Sequence, residues 1–208
     1  MPRYRDGNRR YPRWMHSACV RFRGRRPSYR SDSCADRSRS SIVNNNAGNG
    51  ENGLAALLKA GRVRKIICSF PKTANSHVFD SLYAAKEIEL ELVPQGTLAE
   101  RLRCAGAGLG GFFTPTGVGT PIAQGKRTEV INGREFLFET PLPAEFALIQ
   151  ADAADRWGNL TYRKTARNFG PVMCAAATTT IVQVARIVPL GSIDPEHVVT
   201  HGIFVSRI

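Results

Sequence analysis

The sequence is poor in the groups that most often carry out chemistry. Its four histidines (16, 77, 197 and 201) are scattered, and none has a partner at metal-ligand spacing, so no metal is expected. The five cysteines (19, 34, 68, 104 and 174) are odd in number and form no CxxC pair, which argues against a disulfide framework or a zinc site. Cys68 and Cys174 lie in apolar runs and read as small buried hydrophobes, which suits a reducing, cytoplasmic setting. Runs such as Val172–Ala177 fall far short of the roughly 20 apolar residues that span a bilayer, so no membrane span is expected. Residues 1–41 contain no Leu, no Ile and one Val, and therefore cannot supply a core.

What is present divides into two styles. The chain has 208 residues, 42% of them hydrophobic and 22% charged, which is ordinary for one soluble α/β domain. The net charge of +12 is concentrated at one end. Residues 1–41 hold twelve Arg against three Asp, or +9, and the rest holds 17 Lys and Arg against 14 Asp and Glu, or +3. The basicity thus describes the head and says little about the partner of the folded part, residues 42–208. The head can be read as a nucleic-acid-binding arm, since Arg21-Phe22-Arg23-Gly24-Arg25-Arg26 mixes charge with an aromatic. A transit peptide would need an apolar helix face that this segment lacks. A disordered segment or a shifted reading frame in GC-rich DNA also accounts for Arg, Ser and Pro ending abruptly at a well-patterned strand.

From Ile42 onward strands alternate with short helices, which predicts an open, mainly parallel sheet with flanking helices. Strands are expected at Ile42–Asn45, Lys65–Phe70, Ile88–Val93, Phe146–Ala151, Asn159–Arg163, Thr178–Ile187 and Ile203–Val205. Helices are expected at Gly53–Ala60, closed by Gly61, at Ser76–Ala85, from Thr97 through Cys104, and from Pro171 to Ala177. Thr97 with Glu100 has the spacing of a capping box. Asn132-Gly133 divides Glu129–Glu139 into a hairpin.

The candidate site follows from where polar residues fall on this outline. Ligands of open α/β sheets bind outside the carboxyl ends of the strands. Asn44-Asn45-Asn46 lies at the expected carboxyl edge of one strand, and Pro94-Gln95-Gly96 follows another directly. Their amides can donate to an oxyanion or a carboxylate, and Gly96 lets a ligand approach the backbone. Arg163, Lys164 and Arg167 follow another strand and suit an anionic substrate or a coenzyme phosphate, although exposed cations are more often simply surface. Gly106-Ala107-Gly108-Leu109-Gly110-Gly111 matches GxGxxG, but a helix precedes it and Phe112-Phe113 follows it, the reverse of a nucleotide-binding order. Glu51-Asn52-Gly53 sits at a helix start, where a Glu simply favours the dipole.

Several separated motifs occur together: Val43-Asn44-Asn45-Asn46-Ala47-Gly48, Ser69-Phe70-Pro71, Val93–Arg101, Phe112–Gly119, Asp155–Lys164 and Asn168-Phe169-Gly170-Pro171. In this order they resemble the α subunit of the family I CoA-transferases, over Ile42 to Ile208. Asp155-Arg156-Trp157-Gly158-Asn159 and its surroundings are closest to the 3-oxoadipate:succinyl-CoA branch, with the 3-oxoacid (acetoacetate) branch also open. The resemblance implies ping-pong exchange through a glutamyl-CoA thioester, with no catalytic nucleophile in this chain and the glutamate on a partner β subunit. It implies that Asn45, Asn46 and Gln95 line the substrate site, that CoA esters are substrates and no cofactor is needed, and that the assembly is a cytoplasmic hetero-oligomer. It also implies a parallel strand ending in a Gly-Gly-Phe-Gly-like turn, and then a helix, before the Asn run. Residues 1–41 contain neither, although reading the Val20–Gly24 codons one base later permits Gly-Phe-Gly.

Overall fold

A computed structural model describes residues 19–22 and 39–208. The Arg-rich head, expected to be atypical and either disordered or frame-shifted, lies largely outside the described residues.

The first strand of the patterned region is β2 (Ser40–Val43), which follows β1 (Cys19–Phe22) in chain order. Then come α1 (Leu54–Lys59), β3 (Val63–Cys68), α2 (His77–Ala84), β4 (Glu89–Leu92) and α3 (Gln95–Gly106). A small sheet follows, built from β5 (Phe112–Thr114), β6 (Thr128–Ile131) and β7 (Arg134–Glu139). The chain then enters β8 (Ala144–Ala154), β9 (Leu160–Thr161), α4 (Gly170–Ala176) and β10 (Ala177–Ile187).

The main sheet has the order β10-β8-β1-β2-β3-β4, with β9 added to β8. β2, β3 and β4 run parallel through helical crossovers, and β8 runs parallel to β10. β1 fills the position between β2 and β8 and runs antiparallel to both. That position holds a strand of opposite direction to the one the resemblance implies.

Both faces of β2 and β3 are covered, since their successive side chains point to opposite sides and helices pack on each. Ile42, Ile66 and Cys68 pack with Leu54, Leu58 and Phe79 of α1 and α2. Val43 and Ile67 pack with Leu98 and Leu102 of α3 and with Met173 and Cys174 of α4. Helix α1 buries Leu54 and Leu58, and α3 buries Leu98 and Leu102, each pair at the i, i+4 spacing of one helix face. The thiols of Cys68, Cys104 and Cys174 are all buried.

Two sequence expectations are corrected. Helix α3 starts at Gln95, not Thr97. The Pro94 carbonyl already accepts the first helical N–H, from Leu98 at 2.8 Å, and Thr97 is buried inside the helix. The capping box therefore does not form, and Glu100 pairs with Arg103 at 2.7 Å instead. Ile203–Val205 is not a strand: Gly202–Phe204 forms a 3-10 turn. Gly202 lies so close to Trp157 that a Cβ there would stand 1.9 Å from the Trp157 carbonyl oxygen, so the chain bends rather than extends. The hairpin forms as expected, with Asn132 and Gly133 both at positive φ (51° and 74°) between β6 and β7.

A line of alternating charge ties the small sheet to the large one. Lys65 on β3 pairs with Glu91 on β4 at 2.7 Å, and Glu91 pairs with Arg101 on α3 at 3.0 Å. Arg101 lies 3.9 Å from Glu139 on β7, which also pairs with Lys126.

Candidate active site

Three turns converge at the carboxyl edge of β2, β3 and β4. The isolated bridge Asn46–Phe70 extends the β2–β3 pairing beyond the strands themselves. The backbone carbonyl of Asn45 accepts from Ser69 N at 3.2 Å and from Phe70 N at 3.1 Å, which locks the first two turns together. Pro94 fixes the entry to α3 and places Gln95 at its first residue.

The side chains then meet. Gln95 Nε2 donates to Asn45 Oδ1 at 2.9 Å, across 50 residues of sequence. Ser69 Oγ donates to the same Oδ1 at 2.6 Å. Gln95 is exposed, while Asn45 and Ser69 are half-buried, so the cluster opens to solvent.

Asn46 is adjacent, but its Oδ1 is used locally, accepting from Gly48 N at 2.9 Å. This bond holds the turn and leaves the Asn46 amide nitrogen as its remaining polar group. Gly96 is exposed in the first turn of α3, and a Cβ there would meet nothing within 4 Å. Its packing does not require glycine.

Arg163, Lys164 and Arg167 lie elsewhere on the same edge. They line a cleft of about 780 Å³ together with Gln150, Asp152 and Tyr162. All three cations are exposed and none makes an ion pair within the described residues. The backbone of their turn is strained, with Lys164 at φ 52° and Asn168 at φ 36°, a region that non-glycine residues rarely enter. Register relates this cleft to the amides. Val20 pairs with both Val43 and Ala147, so Asn45 and the cleft residue Ile149 fall in one row, about two strand spacings or ~10 Å apart.

Among the described residues no carboxylate or thiol is hydrogen-bonded to the amides of Asn45 and Gln95. Burial pushes the Cys68 thiol up to about 12, although its Sγ bond to the Phe70 backbone acts the other way. Burial likewise raises Tyr162, whose hydroxyl lies 3.0 Å from Thr200 Oγ1, so it stays protonated beside the cleft. Glu51 pairs with Lys59 at 3.5 Å on the surface. Among the described residues no group of His, Cys, Asp and Glu could hold a metal ion, and no helix is long and apolar enough to cross a membrane.

The sequence pattern of the Coenzyme A transferase family matches residues 23–208. The chain belongs to that family. It is 63% identical over 167 residues to a 3-oxoadipate CoA-transferase subunit of Pseudomonas putida, covering 80% of this chain and 72% of the relative. It is 43% identical to a probable succinyl-CoA:3-ketoacid coenzyme A transferase subunit of Bacillus subtilis, covering 80% and 69%. Among solved structures it shares the fold of an acyl-CoA transferase of Escherichia coli O157:H7, with a TM-score of 0.67 at 22% identity, covering 76% of this chain but 36% of that one. Glutaconate coenzyme A-transferase of Acidaminococcus fermentans has the same fold, with a TM-score of 0.63 at 18% identity, covering 76% and 59%. This CoA-transferase chain thus spans about a third of the E. coli transferase and under two thirds of the glutaconate enzyme.

Ser69, quoted above only as part of a motif, belongs to this cluster although sequence reasoning did not name it as a candidate. The rule that selected Asn45 after β2 and Gln95 after β4 applies equally to Ser69, the first residue after β3. A lone hydroxyl is a weaker signal than an amide set between Pro and Gly.

Proposed function

We propose that this chain is the amide-bearing half of a CoA-transferase that moves CoA from succinyl-CoA to a 3-oxo acid, 3-oxoadipate in the first instance. The attacking carboxylate is a glutamate of a partner β subunit. Its oxygen adds to the thioester carbonyl, and the oxygen of that carbonyl becomes an oxyanion. CoA leaves as a thiolate, giving an acyl–glutamyl anhydride. The thiolate returns to the glutamyl carbonyl, releases succinate and forms the glutamyl-CoA thioester. The acceptor acid takes the CoA by the same steps in reverse.

The observation that carries this reading is the pairing of Asn45 with Gln95 in an open crevice where, among the described residues, no carboxylate or thiol is bonded to either. Preorganised N–H donors lower the barrier to an oxyanion but cannot themselves attack. Asn46 adds a further amide nitrogen, and Gly96 leaves the backbone accessible. Arg163, Lys164 and Arg167, free of ion pairs among the described residues, suit the second carboxylate of a dicarboxylic acyl group or a phosphate of CoA. The names of the relatives at 63% and 60% identity favour 3-oxoadipate over acetoacetate. CoA enters as a substrate, and the scheme calls for no other organic group.

The test is reconstitution with the partner chain. Exchange of CoA between succinate and 3-oxoadipate is expected from the mixture and from neither chain alone. Mass spectrometry during turnover should find the CoA adduct on the partner. An adduct on this chain, or exchange by this chain alone, would overturn the division of labour.

A further inference from the structure

Asn45 Oδ1 is the common acceptor of two donors, Ser69 Oγ and Gln95 Nε2. This fixes which way the Asn45 amide faces. The 2.6 Å separation from Ser69 lies in the range of O–H···O bonds and below that of N–H···O bonds, so oxygen faces the serine. The Ser69 hydroxyl has one proton and also lies 3.2 Å from the Asn45 backbone carbonyl, and the much shorter contact to Oδ1 is the one that takes that proton. With Oδ1 turned inward, Nδ2 is directed away from the pair. Among the described residues no hydrogen bond engages Asn45 Nδ2 or Gln95 Oε1.

We propose that Ser69 is a positioning residue, whose hydroxyl sets the Asn45 amide with its nitrogen as the donor to the substrate oxyanion. The proposal rests on the reading of Asn45 as a substrate-binding amide. Two consequences follow from the same bond. It removes the alternative amide rotamer, in which oxygen would face a negatively charged oxygen of the substrate and repel it. It also polarises the amide, because a bond accepted at oxygen strengthens the bond donated at nitrogen. Gln95 contributes to the first effect from the opposite side, so both flanking turns orient the one amide between them. Ser69 touches no substrate in this scheme and acts through Asn45.

A double-mutant cycle on the assembled enzyme separates positioning from general structure. Ser69→Ala is expected to lower kcat by about tenfold, less than the 10²–10³ lost with a direct oxyanion donor, and to change the KM for succinyl-CoA by under about twofold. Ser69→Thr, which keeps the hydroxyl, should restore kcat to within about threefold. In an Asn45→Ala background, Ser69→Ala should cost nothing further. The same tenfold loss in that background, or an unchanged kcat for Ser69→Ala alone, overturns the proposal. If Ser69→Ala does not assemble, Ser69→Cys carries the test with the same expectation, because a thiol is a weak donor. An Asn45→Ala enzyme that turns over normally would instead overturn the amide reading itself, and the positioning role with it.

Discussion

Arg101 on α3 donates to the Glu91 carboxylate on β4 at 3.0 Å, with its side chain 10% exposed. Its Nε donates at the same time to the Thr140 carbonyl at 2.9 Å and faces the buried Glu139 carboxylate. Removing this guanidinium leaves the buried Glu139 carboxylate with Lys126 as its remaining ion pair among the described residues. Arg101→Met is therefore expected to destabilise the fold by about 3 kcal/mol, the cost of breaking rather than replacing a buried ionic cluster. Urea unfolding should show a lower midpoint at an unchanged slope. Replacing Arg101 and Glu139 together by apolar residues should recover much of the loss.

Gln95 is exposed, and its side chain donates to Asn45. Gln95→Ala should leave stability within about 0.5 kcal/mol. It should still lower turnover in the assembled enzyme by about 10- to 100-fold. A thermal melt run beside a thioester-exchange assay checks both halves.

Gly106 marks the place where α3 meets α4. A Cβ there would stand 2.7 Å from Ala175 Cβ and 2.9 Å from the Ala175 carbonyl carbon and oxygen. Backbone cannot yield as a flexible side chain would, so Gly106→Ala should cost about 1–3 kcal/mol despite alanine's better helix propensity. Chemical denaturation gives the sign directly.

Two carboxylates tie stability to acid. Burial by itself would raise Glu91, but the hydrogen bonds and charges of Lys65 and Arg101 outweigh it and hold the group below its usual value. Asp155 likewise has burial acting upward, and the Asn159 amide with the N–H groups of Asn159, Trp157 and Gly158 bring it down. A carboxylate lowered on folding stabilises above its unfolded pKa, and that contribution is lost as pH falls through the folded value. Stability should therefore hold near neutrality and decline below about pH 4, the unfolded carboxylate range. Asp155→Asn should flatten that decline, as read from unfolding midpoints between pH 6 and pH 3.

The interior thiols should be inert. Cys68 is fully buried and its thiol is pushed up to about 12, and Cys174, at 1% exposure, is pushed up to about 11. Neither forms thiolate near neutral pH. A thiol-specific reagent should modify both only after denaturant is added.

The sequence made the chain's strands visible wherever an apolar period met turn chemistry. Val63–Cys68 and the Asn132-Gly133 hairpin are cases where local pattern and final structure agree. It failed where tertiary contact decided. Thr97 has the chemistry of a cap, yet Pro94 two residues before Gly96 had already begun the helix. The Ile203 segment has strand composition, yet the approach of Gly202 to Trp157 bends it, leaving Ile203 86% exposed. Position after a strand singled out Asn45 and Gln95, two residues that the structure brings together. Their mutual bond, and Ser69 as its third member, depend on a register that periodicity does not encode. The cations at 163, 164 and 167 were legible as charge, but only the strained turn and the cleft separate them from an ordinary surface.

Helix α3 carries Gln95 at one end and its ionic anchor, Arg101, six residues on, about 9 Å along the axis. If the helix tilts about Arg101, that pivot is shared with the small sheet through Glu139. A tilt of about 5° at that pivot would move Gln95 by about 0.8 Å, enough to lengthen a 2.9 Å bond past useful range. A partner gripping the outer hairpin would then have a mechanical route to Gln95.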